Sequence, residues 1–286
     1  MLERAVALPA LALVANAFTW GVSWWPLREL QGAGLHPLWA TVLIYAVAVG
    51  LISLRAPGAW GELLRTPSLW VLVLAAGTTN ASFNWAVTIG DVVRVVLLFY
   101  VMPLWAVLLA RLLLREQLTP AALLRVALAL AGAAIVLWPA GGGGWPLPRT
   151  LAEALGVLGG FSFALNNVML RREAGRSASA RALAMFLGGV VVAAALALAT
   201  AAPAPQPPAA GWIAGMLALA LAFLGGNLAL QYGAARLPAN ATAVIMITEV
   251  LFAAVSALLL GAGTLSPALA VGGGLIVLAS LLAVRG

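Results

Sequence analysis

The stretch IMITEVLFAAV, residues 245–255, holds one carboxylate, Glu249, in an otherwise apolar run. A charged side chain at the centre of an apolar helix costs about 2.5–3.5 kcal/mol on insertion scales, so it needs a partner, a proton or water. Three chemistries fit Glu249. It can be a protonated structural group bonded to a neighbouring helix, a site that takes up and releases a coupling proton, or a counter-charge for a substrate ammonium. Two amide pairs carry the next signal. Asn80 and Asn84 are four apart with Trp85 adjoining, and Asn227 and Gln231 repeat this spacing with Tyr232 next to them. A spacing of four puts both amides on one helix face. An amide offers donors to a carboxylate and an acceptor to an ammonium; bridging packed helices is its other use. Trp20 stands with Asn16 and Ser23 on one side of the first apolar run, and Phe163 with Asn166 and Asn167 on a later one. Tyr100 lies in LLFYVMP beside Pro103. Aromatic walls receive apolar or aromatic groups, and a cation can sit over a ring face. The candidate substrate-binding set is therefore Trp20, Asn80, Asn84, Trp85, Tyr100, Phe163, Asn166, Asn227, Gln231, Tyr232 and Glu249, with Glu249 also the candidate for coupling.

The elements that must position these residues are membrane helices. The chain is 64% hydrophobic and 8% charged, with a mean hydropathy of +1.09, against about 25% charged residues in an ordinary globular protein. Ten apolar runs of roughly membrane-spanning length follow one another: 5–25, 36–54, 68–89, 91–112, 121–138, 151–170, 180–199, 210–232, 238–260 and 266–284. About 20 apolar residues suffice to cross the hydrocarbon. Joints rich in proline and glycine separate them, among them WWPLRELQGAG, RAPGAWGELLRTP, GGGGWPLPRT and APAPQPPAAG. The first run is too long and too polar for a cleaved signal peptide, so it reads as a retained helix.

All fifteen basic residues are arginines. With the N-terminus in the cytoplasm, twelve fall in cytoplasmic segments and three, Arg28, Arg94 and Arg149, fall outside. That asymmetry is the positive-inside pattern, and it predicts an inner-membrane protein of bacterial type with both termini cytoplasmic. It also removes nucleic acid as a partner, because the charge marks helix ends rather than a binding face.

Internal repeats organise the spans. LLLREQLTPAALL (112–124) resembles LLLGAGTLSPALA (258–270), and TNASFNW (79–85) aligns with GNLALQY (226–232) at nearly the same offset of 147. FTWGVSWWPLR (18–28) aligns with FSFALNNVMLR (161–171) at offset 143. The expectation is an all-α polytopic membrane protein whose ten transmembrane helices form two five-helix repeats, 1–140 and 151–286, joined by a linker at 141–150. Five is odd, so the second repeat enters the membrane inverted with respect to the first. Inverted repeats are an architecture of secondary transporters, with the substrate site between the halves.

Ten spans, five-plus-five halves and LLLREQLTP near the end of the fourth span resemble the drug/metabolite transporter superfamily, and within it the EamA-type ten-helix exporters. In overall likeness the chain is similar to the YddG-like aromatic amino-acid exporters of that group. The family commonly has a proline in its fourth and ninth helices and an acid before the Leu-Thr/Ser that follows. Pro103 and Glu116 fit in the first half, whereas Val250 and Ala262 stand at those places in the second. The resemblance implies export. Together these readings predict a transporter of amino acids, aromatic or apolar, working by alternating access around a midplane cavity in a lipid bilayer, within a single chain. The alternative is export of cationic drug-like compounds such as quaternary amines.

Rival classes fare worse. An intramembrane enzyme would show a nucleophile with its base or paired deep acids, and neither H-E-x-x-H nor G-x-S-x-G occurs. Without lysine there is no Walker A motif. One histidine, His36, and no cysteine give no expected metal site or cofactor. A passive channel would call for rings of like residues from several subunits.

Overall fold

The computed structural model describes residues 2–115, 119–138, 147–205, 210–234, 236, 245–246, 248–262, 264 and 266–282. Glu116, Trp145, Arg285, residues 141–146 of the linker and the start of the ninth span, 238–244, lie outside these. Among the described residues the regular structure is helical throughout. This follows from the solvent: a lipid-exposed backbone must satisfy its own N–H and C=O groups.

The first span is α1 (Leu2–Val22) followed by α2 (Trp24–Gly32), and the second is α3 (Pro37–Arg55). A short α4 (Gly58–Arg65) precedes the third span, α5 (Pro67–Ile89). The fourth is divided into α6 (Val92–Phe99) and α7 (Met102–Leu114), and α8 (Pro120–Leu137) completes the first half. The second half runs through α9 (Leu151–Arg172), α10 (Ala178–Ala199), α11 (Ala210–Ala234), α12 (Thr248–Leu259) and α13 (Pro267–Leu281). Among the described residues six stretches are long and apolar enough to cross a membrane by composition, and three shorter apolar helices join them. The 23-residue α5 is long enough, but Thr79, Asn80, Ser82, Asn84 and Thr88, all buried, dilute its apolar character.

Two joints expected as turns are largely helical. WWPLRELQGAG becomes α2, which buries Trp24, Leu27 and Leu30 on one side. Its break from α1 falls at Ser23, whose hydroxyl donates to the Trp20 carbonyl at 2.8 Å. RAPGAWGELLRTP contains α4, which buries Ala59 and Leu63. Both segments carry an apolar stripe at helical spacing, and burying it outweighs the local proline and glycine signals.

Helix starts use the expected chemistry. His36, Asp91, Thr150 and Ser177 cap α3, α6, α9 and α10 by accepting a backbone N–H, which satisfies one of the donors a helix start leaves free. Large apolar side chains such as Leu11, Leu54, Leu112, Leu221 and Leu259 point outward. In water that surface would aggregate; lipid covers it here.

The helix packing repeats under exchange of the halves. The third span packs on the sixth (α5 on α9), as the eighth does on the first (α11 on α1). The third packs on the seventh (α5 on α10), as the eighth does on the second (α11 on α3). The fourth packs on the sixth (α6 and α7 on α9), as the ninth does on the first (α12 on α1). The self-related pairs α3–α10, α6–α12 and α8–α13 are also in contact. Two five-helix sets related by a pseudo-two-fold axis account for every one of these pairings, and an odd set size makes the relation an inversion across the membrane.

Candidate functional site

A cavity lies where the halves meet. Eight helices contribute to its wall, and aromatic rings form most of it. Phe186, Tyr45, Phe223, Trp20, Phe83, Phe99 and Phe163 follow one another in ring contact, with centroid separations from 4.5 Å (Trp20 stacked on Phe223) to 6.0 Å (Trp20 edge-on to Phe83). Five of the eight phenylalanines line this space, leaving Phe18, Phe161 and Phe252 elsewhere. The rings therefore concentrate at the cavity and not at the lipid interface. The polar wall consists of Asn16, Thr79, Asn80, Asn166, Asn227 and Glu249.

The wall obeys the repeat. At offset 147, Ala76 corresponds to Phe223, Asn80 to Asn227, Phe83 to Leu230 and Phe99 to Met246, and all eight line the cavity. At offset 143, Trp20 corresponds to Phe163, and both line it. The cavity thus sits on the pseudo-two-fold axis.

Hydrogen bonding within it is uneven. Asn80 accepts from the Tyr45 hydroxyl at 2.8 Å and donates to the Ala76 carbonyl at 2.8 Å. Asn227 accepts from Gln231 Nε2 at 2.8 Å and faces the Met185 sulfur at 3.5 Å. Asn16 Nδ2 meets the Met246 sulfur at 3.4 Å, while its Oδ1 has no partner. Asn166 is 1% exposed, and neither atom of its amide is bonded. Glu249 Oε2 lies 2.9 Å from the Tyr100 hydroxyl. The volume is about 40 Å³, room for only a few waters at about 10–15 Å³ each.

Residues 7–138 match the model of the EamA-like transporter family. A stretch of 146 residues is 35% identical to an uncharacterised transporter of Pseudomonas aeruginosa, covering 44% of this chain. The match spans about half (49%) of that relative's length. A protein of known crystal structure, 21% identical, superimposes with a TM-score of 0.60 over 97% of this chain and 96% of its own, so the two share a fold.

Of the residues singled out from sequence, Trp20, Asn80, Phe163, Asn166, Asn227 and Glu249 come together at the cavity. Tyr100 is fully buried directly behind Glu249. The other four are displaced from it. Asn84 donates to the Thr41 hydroxyl at 3.0 Å, and Trp85 meets His36 edge-on at 5.8 Å. Gln231 stands behind Asn227, and Tyr232 lies under the Arg236 guanidinium at 3.8 Å. The expectation that both members of each amide pair face one space is thus corrected. Each residue turns the helix by about 100°, so the face carrying Ala76, Asn80 and Phe83 leaves Asn84 on its far flank.

Sequence reading missed Tyr45, Phe83, Phe99, Phe186 and Phe223. Phe83 and Phe99 had a usable signal, since their partners at offset 147 are also apolar and large. Tyr45 and Phe186 had none, because the second and seventh spans show no visible repeat.

One end of the molecule gathers the three arginines expected outside. Arg28 donates to the carbonyls of Val87 and Gly90. Arg94 pairs with Glu153 at 2.6 Å, and Glu153 also accepts from Arg149 N at 2.8 Å. Asp91 caps the Arg94 N–H instead of pairing with its guanidinium, and its other oxygen accepts from Thr264 N at 3.4 Å. The halves are joined here across the cavity's end. At the opposite end Glu62 accepts from Ser177 N and Oγ at 3.1 and 2.6 Å, which holds its carboxyl below the usual carboxylate range.

Proposed function

We propose that this chain is a secondary transporter of small organic solutes that bear an amine, foremost amino acids with aromatic or apolar side chains, working by alternating access around the central cavity. Asn166 carries this reading: a fully buried amide with both atoms unbonded, in a ring-lined space on the axis between two inverted halves. Leaving a buried polar group unpaired costs about 1–3 kcal/mol, which a ligand offering a carboxylate or an ammonium would recover. The rings of Trp20, Phe223, Phe83 and Phe163 would receive its apolar side.

A second reading, export of amine cations without a carboxylate, rests on one observation. Among the described residues the cavity wall holds a carboxyl group, Glu249, and no Arg, Lys or His. Export is the direction the resemblance implies. The arginine asymmetry supports an inner-membrane location with cytoplasmic termini, and ten helices around one cavity support action as a monomer, with repeats at 1–140 and 151–286 and a linker at 141–150.

The test is counterflow in liposomes holding the purified protein and unlabelled substrate. Labelled phenylalanine and leucine should exchange saturably, and Asn166→Ala should reduce that exchange at least about tenfold, the equivalent of 1.4 kcal/mol. Exchange of a quaternary amine alone would establish the second reading. Exchange of neither class would sink the transport proposal.

A further inference from the structure

Tyr100 closes the first segment of the fourth span. Pro103 has no N–H to bond the carbonyl four residues back, and the helix breaks at Tyr100 and Val101. The break sets the phenol between two oxygens of the ninth span. Tyr100 Oη lies 2.6 Å from the Met246 carbonyl oxygen and 2.9 Å from Glu249 Oε2. A phenol has one hydrogen to donate. With Glu249 ionised, both neighbours are pure acceptors, and one of the two contacts would set oxygen against oxygen with no hydrogen between them. Both contacts are satisfied if Glu249 carries a hydrogen. Its O–H then donates to Tyr100 Oη, and Tyr100 donates to the Met246 carbonyl.

We propose that Glu249 binds a proton and the substrate's ammonium alternately, with Tyr100 as the positioning residue that holds the protonated form in the closed cavity. The assignment rests on the transport reading above. In the open form the Glu249 O–H bond breaks, its hydrogen leaves to water as a proton, and the electron pair stays on the carboxylate. The carboxylate then pairs with the positive charge of the incoming ammonium. After the ammonium departs on the other side, the carboxylate takes a proton from water there. One proton crosses for each ammonium moving the opposite way. An amine cation exchanges without net charge, whereas a zwitterion exchanged for a proton moves one charge.

The surroundings suit a single exchangeable group. Glu249 is 4% exposed. From α6, Tyr100 is the titratable side chain in contact with it. From α1, Gly21 packs against the Glu249 backbone, with Asn16 and Trp20 on the shared wall. Among the described residues Tyr45 of α3 is the other titratable group lining the cavity, and no charged side chain beyond Glu249 lines it. At offset 147 the place of Glu249 is taken by Met102, so the carboxyl belongs to one half only.

Three measurements test this. In infrared difference spectra at neutral pH, the wild type should show a protonated-carboxyl band that Glu249→Gln lacks. In weakly buffered detergent, adding phenylalanine or a quaternary amine should release up to one proton per molecule bound by the wild type. In liposomes, electroneutral exchange should support up to about tenfold accumulation per unit of pH gradient, since a pH unit is worth 1.36 kcal/mol. Glu249→Gln should lose gradient-driven accumulation. Tyr100→Phe should shift the pH at which exchange is half-maximal, a change that a purely structural role would not produce. Counterflow by the wild type with no proton release, no response to the gradient and no pH dependence would overturn the assignment while leaving transport intact. Absence of counterflow for every probe would overturn the transport reading itself.

Discussion

Asn166 and Asn80 share a residue type and a cavity, yet substitution should affect them differently. Asn80 is tied to Tyr45 and to the Ala76 carbonyl. Asn80→Leu therefore removes the acceptor of a buried hydroxyl, at a cost of about 1–3 kcal/mol in stability. Asn166 has no protein partner to strand, so Asn166→Leu should leave the thermal midpoint in detergent unchanged or raise it while abolishing substrate-induced stabilisation. A fall in midpoint equal to that of Asn80→Leu would mean that Asn166 is structural. Residue by residue, the site was half legible in the sequence. Polar side chains at membrane depth drew attention to Asn80, Asn166, Asn227 and Glu249 because each is costly there. The phenylalanines did not stand out, since a ring in an apolar helix costs nothing and faces lipid or cavity equally well. The choice among Phe83, Asn84 and Trp85 turned on about 40–60° of helix rotation, which the spacing of two amides does not determine.

At the scale of elements, glycine sets how closely helices approach. A Cβ on Gly188 of α10 would collide with the Val73 carbonyl of α5, and one on Gly77 with the Gly188 carbonyl. A side chain at Gly132 or Gly272 would meet the other's carbonyl at 2.5–2.6 Å, which locks α8 to α13. By contrast, a Cβ on Gly50 in α3 meets nothing within 4 Å. Gly188→Ala should destabilise by about 1–3 kcal/mol through overpacking. Gly50→Ala should stabilise by about 0.5–1 kcal/mol through helix propensity. Thermal unfolding of the two variants checks both signs, and equal shifts would refute the packing argument. The α4–α10 junction has its own pH dependence. The Glu62 carboxyl is lowered by Ser177, so its contribution is present above the unfolded pKa and fades as pH falls through the folded one. Ser177→Ala, which also removes the α10 cap, should cost about 1 kcal/mol at neutral pH and reduce that acid sensitivity, since the backbone N–H at 177 still donates to Glu62. Helix number was plain from hydropathy, but bends were not. The break at Ser23 and the two-part fourth span depend on which carbonyls find partners, and that is decided by packing.

For the whole molecule, an odd number of helices per repeat is what turns a duplication into a device with two equivalent ends. The three arginines expected outside gather at one end, and the Glu62–Ser177 contact joins the halves at the other. Between them lies a closed cavity whose wall repeats at offset 147. The five-plus-five organisation could be read from three weak sequence matches in the same order, and the packing repeats under the same exchange. Residues 141–146 of the linker and the start of the ninth span fall outside the described residues.

The central claim is that this cavity opens alternately to the two sides. The chain has no cysteine, so Ala76→Cys, on the cavity wall, would be its sole thiol. Membrane-impermeant thiol reagents should label it in oriented vesicles from the outer face and, separately, from the inner face, each more slowly at saturating substrate. Labelling from one face only under every condition, or from neither, would contradict the account.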